Sequence, residues 1–310
     1  MTVWLCSGQG AQRPGMGAGL LACDEFEQVK DVFAIGSSVL GIDLAELACN
    51  GSEEQINDPF AAQALTVAIS VGIGHELAAR GHRPEAIVGF SLGQVSALAL
   101  SGMLSVKKTF TLLKARATGI AAACAEQDGA MAALMGASHE DAAELCASCA
   151  QGDILLPANY NCPGQVVISG STAAIERAQA AWAAEHGERK VARLNTAGGF
   201  HTPLMASAAA ATGKAARELT FAEPACPVLC NTDGEPLTAA QAAERMERQV
   251  ANPVHFEQSI AKLIAGGATE FAELGYGSVL ANLVKRCDRK TTRHALGSAE
   301  ALRAYLGIAE

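Results

Sequence analysis

The five residues Gly89-Phe90-Ser91-Leu92-Gly93 constrain the fold more than any other part of this chain. A serine at this spacing between glycines fits a place where a strand turns sharply into a helix. The glycines relieve crowding in the turn, and the hydroxyl is pushed to the top of the sheet. The flanks supply that context: Pro84 leads into the apolar run Ala86-Ile87-Val88, and residues 94–100 read as a helix stopped by Ser101-Gly102. A helix start also presents free backbone N–H groups, so the Leu92 N–H is placed to hold a developing oxyanion. Ser91 is therefore the candidate nucleophile.

The rest of the chain reads as the scaffold such a turn requires. Residues 2–6 form a short buried strand that breaks into Ser7-Gly8-Gln9-Gly10. Helices are expected over 43–49, 61–80 and 106–124. The last rests on Val106, Phe110, Leu113, Ala117, Ile120 and Cys124 recurring at helical spacing. The texture changes after Asp128-Gly129. Strands at 130–135, 154–159, 165–169 and 190–194, with helices at 138–150 and 172–186, give the order β-α-β-β-α-β of a ferredoxin-like unit. Helices over 204–219, 239–250, 256–265 and 279–286, and strands at 228–231 and 270–274, complete the pattern. Helices alternating with short apolar strands predict an α/β fold with a mostly parallel sheet. The expected division is a discontinuous, α/β-hydrolase-like large domain, residues 1–127 and 196–310, carrying a small ferredoxin-like insert, residues 128–195.

Charge and cysteine content exclude several classes. The formal net charge of -9 disfavours nucleic-acid binding, which needs a basic face. It leaves room for an anionic substrate, because one well-placed arginine dominates its local field. The opening residues lack a basic segment followed by a long apolar one. The most apolar stretch, residues 61–79, carries Gln63, His75 and Glu76 at helical periodicity. The expectation is a core helix, no signal peptide, no membrane span and a cytoplasmic location. Ten cysteines in that setting read as free thiols. The lone Cys146-x-x-Cys149 and the pair Cys226 and Cys230 lack the clustered partners of a zinc site, so neither metal nor cofactor is expected.

A serine nucleophile needs a base. Of seven histidines, His75 and His82 belong to a helix and its end, His139 and His186 to the insert, and His294 to a polar tail. His255 follows Asn252-Pro253. His201 follows Gly-Gly-Phe and precedes Thr202-Pro203 at a helix start, a loop position suited to catalysis. It also follows Ser91 in chain order, as the base does in α/β hydrolases.

Five segments together carry a resemblance. Gly8-Gln9-Gly10-Ala11-Gln12, Phe90 to Leu98, Asn159 to Gly170, Gly199 to Met205 and Gln249 to Val254 resemble, in the same order, motifs of the malonyl-CoA:acyl carrier protein transacylases. The similarity spans nearly the whole chain. It implies ping-pong transfer of a malonyl group from malonyl-CoA to the phosphopantetheine thiol of acyl carrier protein, through a malonyl-Ser91 intermediate and with His201 as base. It implies a backbone carbonyl at Gln249 orienting the imidazole in place of an acidic third member. The oxyanion hole would be the N–H groups of Gln9 and Leu92. Arg116 would hold the free malonyl carboxylate by two parallel hydrogen bonds. Gln9, Gln63, Asn161 and Gln165 would line the cleft, and Phe200 agrees with a malonyl-sized pocket. No metal or cofactor is implied, and a monomer is expected.

The sequence departs from the family pattern in places. Phe90 stands where His is frequent, Gln94 where Glu is usual, and Cys6-Ser7 replaces Phe-Pro. Gly275-Tyr276-Gly277-Ser278 replaces Gly-Pro-Gly-Lys. Carrier protein is acidic, so docking to an acidic enzyme needs a local basic patch. Arg189, Lys190 and Arg193, with Lys285, Arg286, Arg289 and Lys290, are the candidates. Two alternatives stand beside this reading: loading of a dedicated carrier in malonate decarboxylase or polyketide synthesis, and a serine thioesterase or esterase. Arg116 argues against the second, since a carboxylate clamp has no use for a neutral ester.

Overall fold

The computed structural model describes residues 1–308; residues 309–310, the end of the expected large domain, lie outside it. The fold is α/β with two sheets. In chain order the strands are β1 (Thr2–Cys6), β2 (Ala86–Gly89), β3 (Gly129–Met135), β4 (Leu155–Cys162), β5 (Gln165–Ser171), β6 (Val191–Arg193), β7 (Val228–Leu229), β8 (Val254–His255), β9 (Glu270–Leu274) and β10 (Thr292–Ala295). The first sheet has the order β10-β9-β1-β2-β7, and every pairing in it is parallel.

A parallel sheet is covered on both faces, so its strands lack polar alternation. In β1, Trp4 and Cys6 join one core with Phe33, Leu65 and Ile69. Val3 and Leu5 face the opposite core with Phe256, Ile260 and Phe271. The helix Pro59–Ala79 is long and apolar enough to cross a membrane, yet residues 61–74 are buried without a break. It packs against the helices Glu27–Leu40, Gly93–Leu100 and Val106–Glu126. It is a core helix of this fold, started by Asp58, whose carboxylate accepts from the N–H groups of Phe60 and Ala61.

The second sheet has the order β6-β3-β5-β4-β8. β3 pairs antiparallel with β5 and β6, and β4 antiparallel with β5. One face, with Ala132, Leu134, Val166 and Ile168, packs on Ile175 and Trp182 of the helix Thr172–His186. The other carries Met131, Ala133, Ala158 and Val167, packed with Leu194 and Phe200. The strand β8 lies outside 128–195 but adds to this sheet through a parallel pairing with β4. The two-residue β8 is too short to show periodicity, and the sequence reading has no strand there.

Other elements depart from expectation. His294 belongs to no polar tail: it sits in β10, an edge strand of the parallel sheet, and a helix follows at Ala299–Leu306. The amphipathic helix Glu27–Leu40 also lies where no element is expected.

Candidate active site

The strand-to-helix turn forms as the glycine spacing requires. β2 ends at Gly89, and the helix Gly93–Leu100 begins two residues after Ser91. A Cβ on Gly89 would fall 2.1 Å from the Gln94 nitrogen, and one on Gly93 would fall 2.0 Å from the Cys6 carbonyl oxygen. No side chain fits at either place. Ser91 has φ 51° and His201 φ 61°, two of only three non-glycine residues with positive φ among those described. Such backbone is costly for residues with a Cβ and persists where surrounding structure imposes it.

These two side chains meet. Ser91 Oγ lies 2.7 Å from His201 Nε2. The imidazole is 4% exposed, and its Nδ1 is 3.0 Å from the Gln249 carbonyl and 3.1 Å from the Asn252 carbonyl. A carbonyl only accepts, so Nδ1 carries the proton and Nε2 presents a lone pair to the serine hydroxyl. Burial, reinforced by the nearby Arg116 charge, presses the imidazole down to about 4, against the raising effect of the two carbonyls. Near neutral pH it is therefore an uncharged base.

A cavity of about 310 Å³ opens over the pair. Its lining includes Gln9 and Leu92 on one side and Met131, Asn159, Leu194 and Phe200 from the second sheet and its neighbours. Arg116 reaches it from the helix Val106–Glu126 and is 4% exposed. Its Nη1 donates to Gln63 Oε1. Its Nε is buried with no hydrogen-bond partner among the described residues. Burial pulls the guanidinium down to about 10. Arg116 and His201 are the only titratable side chains in the lining. The site thus sets a serine hydroxyl on an uncharged imidazole beside one under-partnered cation.

The loop carrying Gln9 is braced from behind. Ser7 Oγ donates to Glu273 Oε1 at 3.2 Å, and the other carboxylate oxygen accepts from the Ala281 N–H at 2.9 Å. Glu273 thereby ties this loop to the start of the helix Val279–Cys287. Burial raises its carboxyl above the usual range, against those hydrogen bonds. Phe90 sits at the cavity edge with its ring against Phe256, centroids 5.3 Å apart in an edge-to-face contact.

Of the sequence candidates, Gln9, Leu92, Arg116 and Phe200 come together with Ser91 and His201 at the cavity. Three do not line it. Gln63 stands behind Arg116, fully buried and anchored by its Nε2 to the Pro59 carbonyl at 3.2 Å. Asn161 and Gln165 lie at the β4–β5 hairpin end, where the pairing register shifts between Tyr160 and Cys162. There the Asn161 amide turns onto Gln165 at 3.3 Å, and Gln165 onto Met135 Sδ at 3.2 Å. Sequence reasoning missed Asn159, Met131 and residues 194–197, all in the lining. Asn159 stands two residues before Asn161 in the same motif; the others follow no recognisable spacing. His255 stacks on Tyr160, centroids 4.9 Å apart, and does not line the cavity.

A serine hydroxyl hydrogen-bonded to a neutral imidazole is an arrangement that covalent acyl transfer uses. The acyl transferase domain family matches residues 3–302, and the chain belongs to that family and is an acyltransferase. It is 34% identical over 303 residues to the malonyl CoA-acyl carrier protein transacylase of Escherichia coli K12, covering 97% of both chains. Among solved structures, the malonyl-CoA:acyl carrier protein transacylase from Xanthomonas oryzae superposes with a TM-score of 0.93 at 35% identity, covering 99% of this chain and 97% of that one. A malonyl-transacylase solved in complex with its type II PKS acyl-carrier protein gives a TM-score of 0.92 at 33% identity, covering 99% and 98%.

Proposed function

We propose that this acyltransferase moves a malonyl group from malonyl-CoA to the phosphopantetheine thiol of acyl carrier protein, in fatty-acid synthesis. The observation that carries the reading is the Ser91–His201 pair sharing one cavity with buried Arg116. The Arg116 guanidinium, which lines the cavity, takes the malonyl carboxylate, which sets the thioester carbonyl over Ser91. His201 Nε2 removes the hydroxyl proton as Oγ attacks that carbonyl. The Gln9 and Leu92 N–H groups hold the oxyanion. The C–S bond breaks, His201 returns the proton to the departing CoA sulfur, and malonyl-Ser91 remains. The carrier thiol then gives its proton to His201 and attacks the ester carbonyl; the bond from that carbonyl to Ser91 Oγ breaks, His201 returns the proton to Oγ, and the malonyl group leaves on the carrier sulfur.

The finer architecture belongs to the same reading. Residues 128–195 form a ferredoxin-like insert, supported by the antiparallel β3, β4, β5 and β6 and their two helices on one face. It closes over an α/β-hydrolase-like large domain, residues 1–127 and 196–308. Carrier protein docks at the junction. Arg286 Nη2 reaches the Pro163 and Gly164 carbonyls at 3.3 and 3.4 Å, and Lys190 Nζ lies 3.8 Å from where a side chain on neighbouring Gly136 would begin. The two basic stretches thus flank one hairpin end. The enzyme works as a cytoplasmic monomer.

The test is incubation with malonyl-CoA, followed by intact mass and peptide mapping. A malonyl adduct on Ser91, discharged faster by holo-carrier protein than by water, is expected. Free malonate released at one rate with or without carrier would make the protein a hydrolase and end the proposal.

A further inference from the structure

The imidazole is oriented by backbone carbonyls at the end of a helix, and such carbonyls have no partner within the helix. Gln249 stands in the last turn of the helix Ala242–Ala251, so something else must fix where its carbonyl points. Its own side chain does so. Gln249 Nε2 donates to Asn231 Oδ1 at 3.1 Å, with Gln249 fully buried and Asn231 3% exposed.

Asn231 is engaged at every polar group. Its Nδ2 donates to the Gly89 carbonyl at 2.5 Å, and its backbone N–H to Gln94 Oε1 at 2.8 Å. Its carbonyl accepts from the His255 N–H at 2.7 Å. The placement follows from topology. β2 and β7 pair through Ile87–Val228 and Val88–Leu229, and the ladder ends there. Asn231 lies two residues beyond β7, so its side chain takes over the carbonyl of the last β2 residue. That residue is two before Ser91, and Gln94 lies three after it.

We propose that Asn231 is a positioning residue, whose side-chain amide joins Gly89 to Gln249 while its backbone N–H holds Gln94, keeping the nucleophile turn and the histidine-orienting carbonyl in one rigid frame. The bridge gives a physical account of how two strained residues 110 positions apart keep hydrogen-bond distance without an acidic third member. The Asn231 amide is held at both ends, and the Gln249 amide is tied through its Nε2 with its Oε1 unpartnered among the described residues, so Asn231 is the member that fixes the frame. The inference rests on the Ser91–His201 acylation reading and adds the device that aligns that pair.

The experiment is rapid-quench measurement of Ser91 malonylation by malonyl-CoA, across pH, for wild type, Gln249→Met, Asn231→Ala and the double variant. Gln249→Met keeps the side-chain length, so it carries the test should Asn231→Ala fail to fold. Each single variant should acylate roughly ten- to a hundredfold more slowly at saturating donor, the scale of a misplaced catalytic group, with KM unchanged. The acid limb should move to lower pH, because the imidazolium loses an acceptor while the Arg116 charge still opposes it. The double variant should be no slower than the slower single one, because both cut one bridge. Variants with a lowered melting temperature but wild-type acylation rates and pH profile would overturn the proposal, as would multiplying effects. A wild-type enzyme that is never malonylated at Ser91 would remove the acylation reading and the bridge together; normal wild-type labelling with unaffected variants removes the bridge alone.

Discussion

Replacing Arg116 by Met separates the proposed acyl clamp from everything else in the cavity. Burial pulls the guanidinium from its ordinary 12.5 down to about 10, so holding the charge there costs on the order of 3 kcal/mol. The neutral Gln63 carbonyl offsets only part of this. In the proposed function a malonyl carboxylate completes the pairing, and removing one partner of a buried ion pair costs about 3–5 kcal/mol. The expected loss in kcat/KM with malonyl-CoA is therefore roughly 10²- to 10⁴-fold. Acetyl-CoA has no carboxylate to lose, and its transfer should change by less than about fivefold. The free protein should melt no lower than wild type, since an uncompensated cation has gone and a side chain of similar length fills its place. With the Arg116 charge removed, the His201 imidazole should rise from about 4, moving the acid limb of acylation to higher pH. The assay is stopped-flow or mass-resolved acylation with both donors. Equal losses for the two would take Arg116 out of the acyl pocket and refute the reasoning.

The catalytic pair, its titration and the basic patch each carry further expected outcomes. Ser91→Ala should abolish the malonyl adduct, and His201→Ala should slow its formation by at least ~10²-fold, the lower end for loss of a general base; both are read by intact mass after malonyl-CoA. Because the imidazole is pressed down to about 4, acylation should stay flat from neutral pH to about pH 5 and fall as pH drops through about 4. A midpoint near the ordinary 6.5 would mean a solvated imidazole. The same shift has a stability consequence: the unfolded chain binds this proton between about 6.5 and 4 and the folded one does not, so stability should decline as pH falls across that window, as followed by denaturant unfolding. Reversing Lys285 and Arg286 to Glu should raise the carrier-protein KM and leave that of malonyl-CoA alone, a result checked by steady-state kinetics with each substrate varied.

What could be read in advance was local and stereochemical. The turn around Ser91 was legible because no side chain larger than hydrogen fits at Gly89 or Gly93, so the spacing itself carries the geometry. The core helix at Pro59–Ala79 was legible as a long apolar run, whose all-round burial then explains its missing polar face. The edge strand β10 and the short β8 escaped because a few residues show no period, and the register of each is set by a distant partner. The cavity residues were legible where a motif fixes the backbone, as at Gln9 and His201. Asn161 went elsewhere because the shift between Tyr160 and Cys162 breaks its alternation with Asn159, whereas Gln165 keeps the parity of Val167 in a regular pairing with β3 and misses the cavity because it stands at the hairpin end. Met131 was invisible as a site residue because it belongs to an ordinary apolar strand.

The absence of a carboxylate behind His201 has a physical reason in the same set of distances. Two carbonyl oxygens, of Gln249 and Asn252, accept from Nδ1, enough to fix the tautomer with the lone pair toward Ser91. An aspartate there would add a full negative charge to a site in which Arg116 already acts on the imidazole from across the cavity. It would raise the basicity of His201, but it would also lower the positive potential that the substrate carboxylate must find, because charges interact strongly where water is excluded. Neutral carbonyls orient the imidazole without competing for the guanidinium. The cost is a weaker hold on the base, since dipoles bind an imidazolium less strongly than a carboxylate does. A frame that keeps those carbonyls from drifting then matters more here than in a triad, and the buried amides of Asn231 and Gln249 are where this chain supplies it.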